Sequence, residues 1–430
     1  MTIYVVRQGD TLSQIARRYG TDTDSLIYAN QLQNPDTLSV GQALVIPVEQ
    51  VTYTVRQGNT INAIARAYGV EASALLSANP ALGTGNCIYP GQTLQIPFPN
   101  EQSGPAVVNG YITGASESVL RATLPYLTFL SPFSFRADGY GELAADNSVD
   151  TALSADYRTA NLLTVANLME SGGFSSAAAH AILTDQDVQD NFLENLLSLL
   201  DGGEWYGVNL DFEYVWPFDR GSYNQFLRRL AETLHGRGYI LVTALAPKLS
   251  DTQSGLLYSA HDYAAQGEIA DYCILMTYEW GYTYGPAMAV SPLDKVRQVL
   301  DYAVSVMPAG KILMGVPNYG YNWTLPFVQG SAARPVTNIG AVTLAGQVGA
   351  DIRFDQSAQS PCFRYTDGSG RQHEVWFEDA RSLQAKFRLV REYGLAGVSI
   401  WNLNSLFRTI FFVLESMYSV EKALPAPQMS

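Results

Sequence analysis

Polar and apolar positions over residues 2–97 run through one pattern twice. Leu12, Ile15, Ala16 and Tyr19 fall on one face of a helix, the spacing of a half-buried helical element. Thr11 precedes them and Gln14 follows three residues on, a capping-box arrangement, and Gly20 supplies the stop. Thr60, Ile61, Ile64, Ala65, Tyr68 and Gly69 repeat the scheme. An extended run precedes each helix, a second short helix leads to Asn30 or Asn79, and a closing strand ends at Pro47 or Pro97. The residues agree as well: YVVRQGDTLSQIARRYG from Tyr4 returns as YTVRQGNTINAIARAYG from Tyr53. A repeat of this kind marks two copies of one small unit, at residues 2–48 and 51–98. The join from Val48 to Thr52 is short, so the two should sit side by side.

After the polar, proline-rich stretch PFPNEQSGP (Pro97 to Pro105), a natural linker, the pattern changes. Short apolar runs alternate with helical periods to the end of the chain. Strands are expected at Val107–Ile112, Tyr126–Leu130, Leu162–Asn167, Tyr206–Glu213, Ile240–Ala246, Tyr272–Tyr278, Lys311–Pro317 and Gly397–Leu403. Eight strands with intervening helices predict an α/β fold, a (β/α)8 barrel, over residues 104–424. Residues 321–374 are too many for a plain loop and predict a small α+β insertion lining one side of the cleft.

Side chains alternate along a strand, so Asn209, Asp211 and Glu213 in YGVNLDFE share a direction. In a barrel that direction is inward, at the end where active sites are built. Two carboxylates at this spacing on buried backbone are costly unless they share a proton or find partners. A purely structural role for the pair is therefore disfavoured.

Charge narrows the ligand. Acidic side chains number 40 against 26 basic, a net charge of −14. Nucleic acid, which is bound by neutralising phosphates, and anionic membrane surfaces are disfavoured as partners. A neutral polymer gripped by hydrogen bonds and aromatic faces remains open. No apolar run approaches the about 20 residues of a membrane helix, and the N-terminus lacks the pattern of a secretory signal. Cys87, Cys273 and Cys362 are odd in number and far apart, and His180, His235, His261 and His373 show no paired spacing. Neither a metal site nor a cofactor is expected.

Both front units resemble LysM modules in their extended opening, Gly-[Asp/Asn]-Thr-[Leu/Ile] step and later Asn. The resemblance implies binding of N-acetylglucosamine-containing glycan between two loops. By position these are Gly9, Asp10, Thr11, Leu12 with Asn30, Gln31, Leu32, and Gly58, Asn59, Thr60, Ile61 with Asn79, Pro80, Ala81. Amides near a helix start can donate to acetamido carbonyls, and tandem modules add avidity on a repetitive polymer.

The third unit resembles glycoside hydrolase family 18 over residues 105–420. YGVNLDFE is similar to that family's Asp-Gly-x-Asp-x-Asp-x-Glu signature on the fourth strand. MTYEW at Met276–Trp280 matches its Met-Thr-Tyr motif, Gly315-Val316-Pro317 with Tyr319-Gly320 its seventh strand, and Trp401 the tryptophan ending the eighth. Tyr206 and Asn209 stand where the family has aspartates, and Asn209 is expected to orient Asp211 by a hydrogen bond and to alter pH behaviour. The resemblance implies substrate-assisted retaining hydrolysis, an exception to the two-carboxylate scheme. Glu213 would be the acid and base, Asp211 would orient the acetamido group, Tyr278 would donate to its oxygen, and Trp401 would floor the site. Asn209, Met276, Glu279 and Tyr319 would bind substrate, with Trp376, Glu378 and Asp379 beside the cleft.

The whole architecture resembles the spore-germination glycosidases that degrade cortex peptidoglycan. That resemblance implies an N-acetylglucosaminidase, placed in the outer spore layers without export and acting as a monomer. Two rival readings stay open: a chitinase, and a catalytically silent glycan-binding protein.

Overall fold

The computed structural model describes residues 1–85, 87–98, 102–133, 135–145 and 151–426. The centre of the expected linker, residues 99–101, lies outside the described residues. Eight parallel strands close a barrel: β1 (Pro105–Ile112), β2 (Phe129–Pro132), β3 (Ala160–Ala166), β4 (Trp205–Asp211), β5 (Ile240–Leu245), β6 (Tyr272–Leu275), β7 (Ile312–Pro317) and β8 (Gly397–Trp401). Each pairs with the next, and β8 pairs with β1 to complete the ring.

The alternation expected on β4 is met. Val208, Leu210 and Phe212 sit in the apolar layer between barrel and helices, which turns Asn209 and Asp211 to the interior. Inside the barrel, Val107, Leu162, Val242, Ile274 and Leu313 fill the floor beneath them. Burial of this kind stabilises each side chain by about 1.5–3 kcal/mol and leaves the polar residues of β4 standing on packed hydrocarbon.

The strand boundaries shift by one to three residues from the sequence reading, and three of the shifts bear on the site. Pro125 opens a single 3-10 turn, Leu124–Tyr126, so β2 starts only at Phe129. The sixth strand stops at Leu275 because the chain tightens: the Thr277 N–H donates to Leu275 O at 2.8 Å and Tyr278 N–H to Met276 O at 2.8 Å. β4 stops at Asp211, so Glu213 stands just beyond the ladder.

The insertion is a five-stranded antiparallel sheet from Gly320 to Trp376 with one helix, Asn338–Val348, capped by Thr337. It packs around Ala341, Ala345, Phe363 and Val375.

Each front unit is a two-stranded sheet with two helices, and Thr11 and Gln14 form the expected capping box. The two units share one apolar cluster, with Tyr19 and Tyr68 edge to face at 5.6 Å. The first unit is also fixed to the barrel. Ile352 N–H donates to Val40 O at 2.8 Å, and the Arg381 guanidinium to Gly41 O at 3.1 Å. Gly41 sits at φ +82, and a Cβ there would stand 1.8 Å from Ile352 O. Only glycine permits this approach.

Candidate active site

A cavity of about 280 Å3 opens at the C-terminal end of the strands, lined by Tyr111, Phe133, Asp211, Glu213, Met276, Tyr278, Glu279 and Trp401 among others. The walls are mostly aromatic and aliphatic, and the carboxylates converge from β4 and from the turn after β6. Polar groups focused in an apolar cleft are the usual form of a small-ligand site.

Asp211 is 4% exposed, and its Oδ1 has no hydrogen-bond partner among the described residues. Burial pushes its carboxyl up to about 7, because removing water penalises the charged form. Glu213 is partly buried. Burial first, then the charges of Asp211 and Glu279, hold it well above the usual carboxylate range. The two interact strongly and titrate as a pair. One proton held between two such groups at neutral pH suits general acid catalysis.

The backbone of Glu213 is fixed without a strand ladder. Asn167, just past β3, accepts from Glu213 N–H through Oδ1 at 2.9 Å and donates from Nδ2 to Glu213 O at 2.9 Å. His261 braces the preceding residue, with Nε2 3.0 Å from Phe212 O and Nδ1 2.8 Å from Ala246 N. The Ala246 N–H donates to Nδ1, so Nε2 carries the hydrogen. Burial lowers His261 to about 4 and keeps it neutral.

Asn209 differs from its expected role. Its Nδ2 donates to Tyr111 Oη at 2.8 Å and to Ser131 Oγ at 3.3 Å, which uses both hydrogens and leaves none for Asp211. Its Oδ1, buried like that of Asp211, has no partner among the described residues. Tyr111 in turn packs edge-on against Trp401, with ring centroids 5.2 Å apart.

Tyr278 is buried in the cavity wall, and burial with the nearby Tyr111 and carboxylates raises its hydroxyl well above the usual phenol range. It is therefore a neutral donor. Glu279 adopts φ +66, a strained backbone for a non-glycine residue. Tyr319 and Tyr321 both donate to its carboxylate. Glu279 and Trp401 also line a second cavity of about 320 Å3 with Asn318, Tyr319, Tyr321 and Thr337. The insertion thus walls one side of the cleft through Tyr321 and Thr337. Trp376, Glu378 and Asp379 do not line either cavity. Trp376 donates to Glu374 at 2.7 Å, Glu378 pairs with the buried Lys386 at 2.9 Å, and Asp379 caps the helix Ala380–Tyr393.

In the front units several candidate side chains are taken up by the fold. Asn30 donates to Leu26 O and Val45 O and accepts from Val45 N–H; Asn79 does the same with Leu75 and Gln95. Asp10 accepts from Tyr4 Oη and Arg7 N–H, and Asn59 from Tyr53 Oη and Arg56 N–H. Thr11 and Thr60 cap their helices, while Leu12 and Ile61 are buried. Gly9 and Gly58 turn the chain at positive φ, and Leu32 packs on the shared core. Pro80 and Ala81 are exposed. Gln31 serves the barrel: its Nε2 donates to Leu406 O at 3.1 Å and its Oε1 accepts from Arg408 N–H at 2.7 Å.

Asn167, Tyr111 and His261 were not singled out from sequence as site residues. For Tyr111 and Asn167 the available signal is an aromatic or polar residue at the carboxyl end of an expected strand; His261, in the connection after the fifth strand, carries none.

Residues 154–405 match the family model for glycosyl hydrolases family 18, and residues 4–47 and 53–97 match the LysM domain. The cortical fragment-lytic enzyme of Bacillus subtilis is 45% identical, covering 98% of this chain and 99% of that protein. The crystal structure of the Bacillus megaterium spore cortex-lytic enzyme SleL superposes with a TM-score of 0.85 at 37% identity, over 98% of both chains. A chitinase from Chromobacterium violaceum superposes with a TM-score of 0.68 at 26% identity, over 73% of this chain and 99% of that one.

Proposed function

From a chain that belongs to glycosyl hydrolases family 18 and carries two LysM domains, we propose an N-acetylglucosaminidase of spore-cortex peptidoglycan that works by substrate-assisted, retaining hydrolysis. The observation that carries the chemistry is the pair Asp211 and Glu213 in one apolar cavity, both with raised affinity for protons. Glu213 protonates the departing glycosidic oxygen as the acetamido oxygen of the same sugar attacks the anomeric carbon. The oxazolinium ion that forms is opened by water, which Glu213 deprotonates, restoring the acid. Asp211, ionised, faces the acetamido N–H and offsets its developing positive charge. Tyr278, a neutral donor, holds the acetamido oxygen in line, and Trp401 lies under the ring.

The cortex assignment rests on full-length similarity to proteins named for cortex lysis. It fits the chemistry, because a nucleophilic acetamido group excludes a sugar whose nitrogen is closed in a lactam. Lactam residues are thereby excluded from the −1 position, and we assign the cut to the bond after N-acetylglucosamine. Deposition in the outer spore layers belongs to the same reading and is supported by the similarity to proteins named for cortex lysis. LysM binding of glycan runs through backbone amides and exposed surface, since the side chains of Asp10, Thr11 and Asn30 are engaged within the module.

The acetamido requirement is the direct test of this chemistry. Aryl N-acetylglucosaminide-type substrates should be cleaved, whereas the same compounds with a free amine should lose at least a thousandfold in kcat/KM. Equal rates on both would remove the substrate-assisted step.

A further inference from the structure

A third crevice, of about 260 Å3, runs between the first LysM module and the barrel. Gln33 and Asn34 form one wall; Thr343 and Gln347 of the insertion helix form the other, with Phe407 at the base. It is separated from the second cavity only by adjacent residues of the same segments. Thr337 and Ser405 line that cavity, while Asn338 and Phe407 line the crevice. Asn338 donates to Asn318 at 3.2 Å across the partition, and Asn318 holds Asn402 O and Ser405 O at 2.9 Å each.

Three features bear on what the crevice takes. Its two acidic residues are already neutralised, Glu378 by Lys386 and Asp379 by Arg381, so it carries no free charge for an ionic ligand. Amide and hydroxyl groups face each other across an apolar base, the chemistry that holds a sugar edge and face. One wall is continuous with the LysM loop from Asn30 to Leu32, and Gln31 ties that loop to Leu406 and Arg408. The crevice is thus preformed, and a ligand would not have to order a tethered module.

We propose that this crevice is a distal glycan site, set beside the catalytic cleft across the Asn318–Asn338 partition, which takes a neutral N-acetylated amino sugar of the chain being cut. It rests on the glycosidase reading above. A long strand would then occupy the cavity at Glu213, the cavity beside Tyr319 and the crevice at the first module together. The module would act as part of the cleft rather than as a free tether.

The test compares kcat/KM on long cortex glycan strands with that on a short aryl disaccharide glycoside, in the full chain. Gln33→Trp and Thr343→Trp fill the crevice from opposite walls. Each should lower the long-to-short ratio at least fivefold, mainly through KM on the long strand. If both variants melt like the wild type and keep the ratio within twofold, the crevice binds no glycan. Failure of the wild type on both substrates would instead overturn the glycosidase reading, and the crevice inference with it.

Discussion

Glu213→Gln should lower kcat on the natural glycan about a thousandfold or more, with KM changed only a few-fold. The side chain reaches the cavity from a backbone fixed by Asn167, so the amide should sit where the carboxyl sat. What it loses is the proton. General acid catalysis contributes about 10²–10⁴-fold, and a thousandfold corresponds to about 4 kcal/mol. The loss should depend on the leaving group. An aryl glycoside with a weakly basic phenolate departs with little protonation, so its first step should suffer less than that of a sugar leaving group. Base catalysis of the second step would then become visible as a burst. A variant retaining full activity on cortex glycan would remove Glu213 from the reaction.

Asp211→Asn should lower kcat about a hundredfold and move the pH profile. In the wild type burial raises both carboxyls, Asp211 to about 7, and the charge of Asp211 raises Glu213 further, so the two titrate as a pair. The working form holds one proton on the pair, so kcat/KM should rise as the second proton leaves and fall at higher pH as the last one is lost. Asp211 in its charged form raises Glu213. Replacing it removes the acid limb and shifts the alkaline limb to lower pH. Stability should move in the opposite direction to activity. A carboxyl whose folded pKa is raised supports folding below its unfolded value of about 4, and that support is lost as pH rises through the folded value. Asp211→Asn is free of this loss, so its melting temperature should gain on the wild type between pH 5 and pH 8. An unshifted alkaline limb would contradict the coupling between the two groups.

Much of this site was legible in the sequence because it depends on short-range periodicity. Alternation along YGVNLDFE was enough to turn Asn209 and Asp211 inward, and helical spacing behind Thr11 and Thr60 was enough to find the front modules. The boundaries that moved did so for local reasons: Pro125 made a turn, and the chain after Leu275 folded back on itself before Glu279 took positive φ.

What periodicity could not supply was the partner across the barrel. Asn209 was expected to serve Asp211, its neighbour in sequence, yet Tyr111 and Ser131 from β1 and β2 claim its amide. Asn167 holds Glu213 from β3, and His261 holds Phe212 from beyond β5. Each is a contact set by barrel closure between residues distant in the chain. The same holds for Gln31, which reads as a LysM loop residue and is in fact bonded to residues 406 and 408. Glu378 and Asp379 differ as well: the family resemblance implied a place beside the cleft, whereas Lys386 and a helix cap engage them away from the two cavities at the strand ends.

The most direct measurement is mass spectrometry of the products from cortex muropeptide fragments, with reducing ends labelled by borohydride. The account predicts new reducing-end N-acetylglucosamine that appears with the wild type and is absent with Glu213→Gln. Intact cortex fragments alongside cleaved chitin oligomers would make the chain a chitinase, and new reducing ends at muramic lactam, which has no free acetamido group, would contradict the mechanism itself.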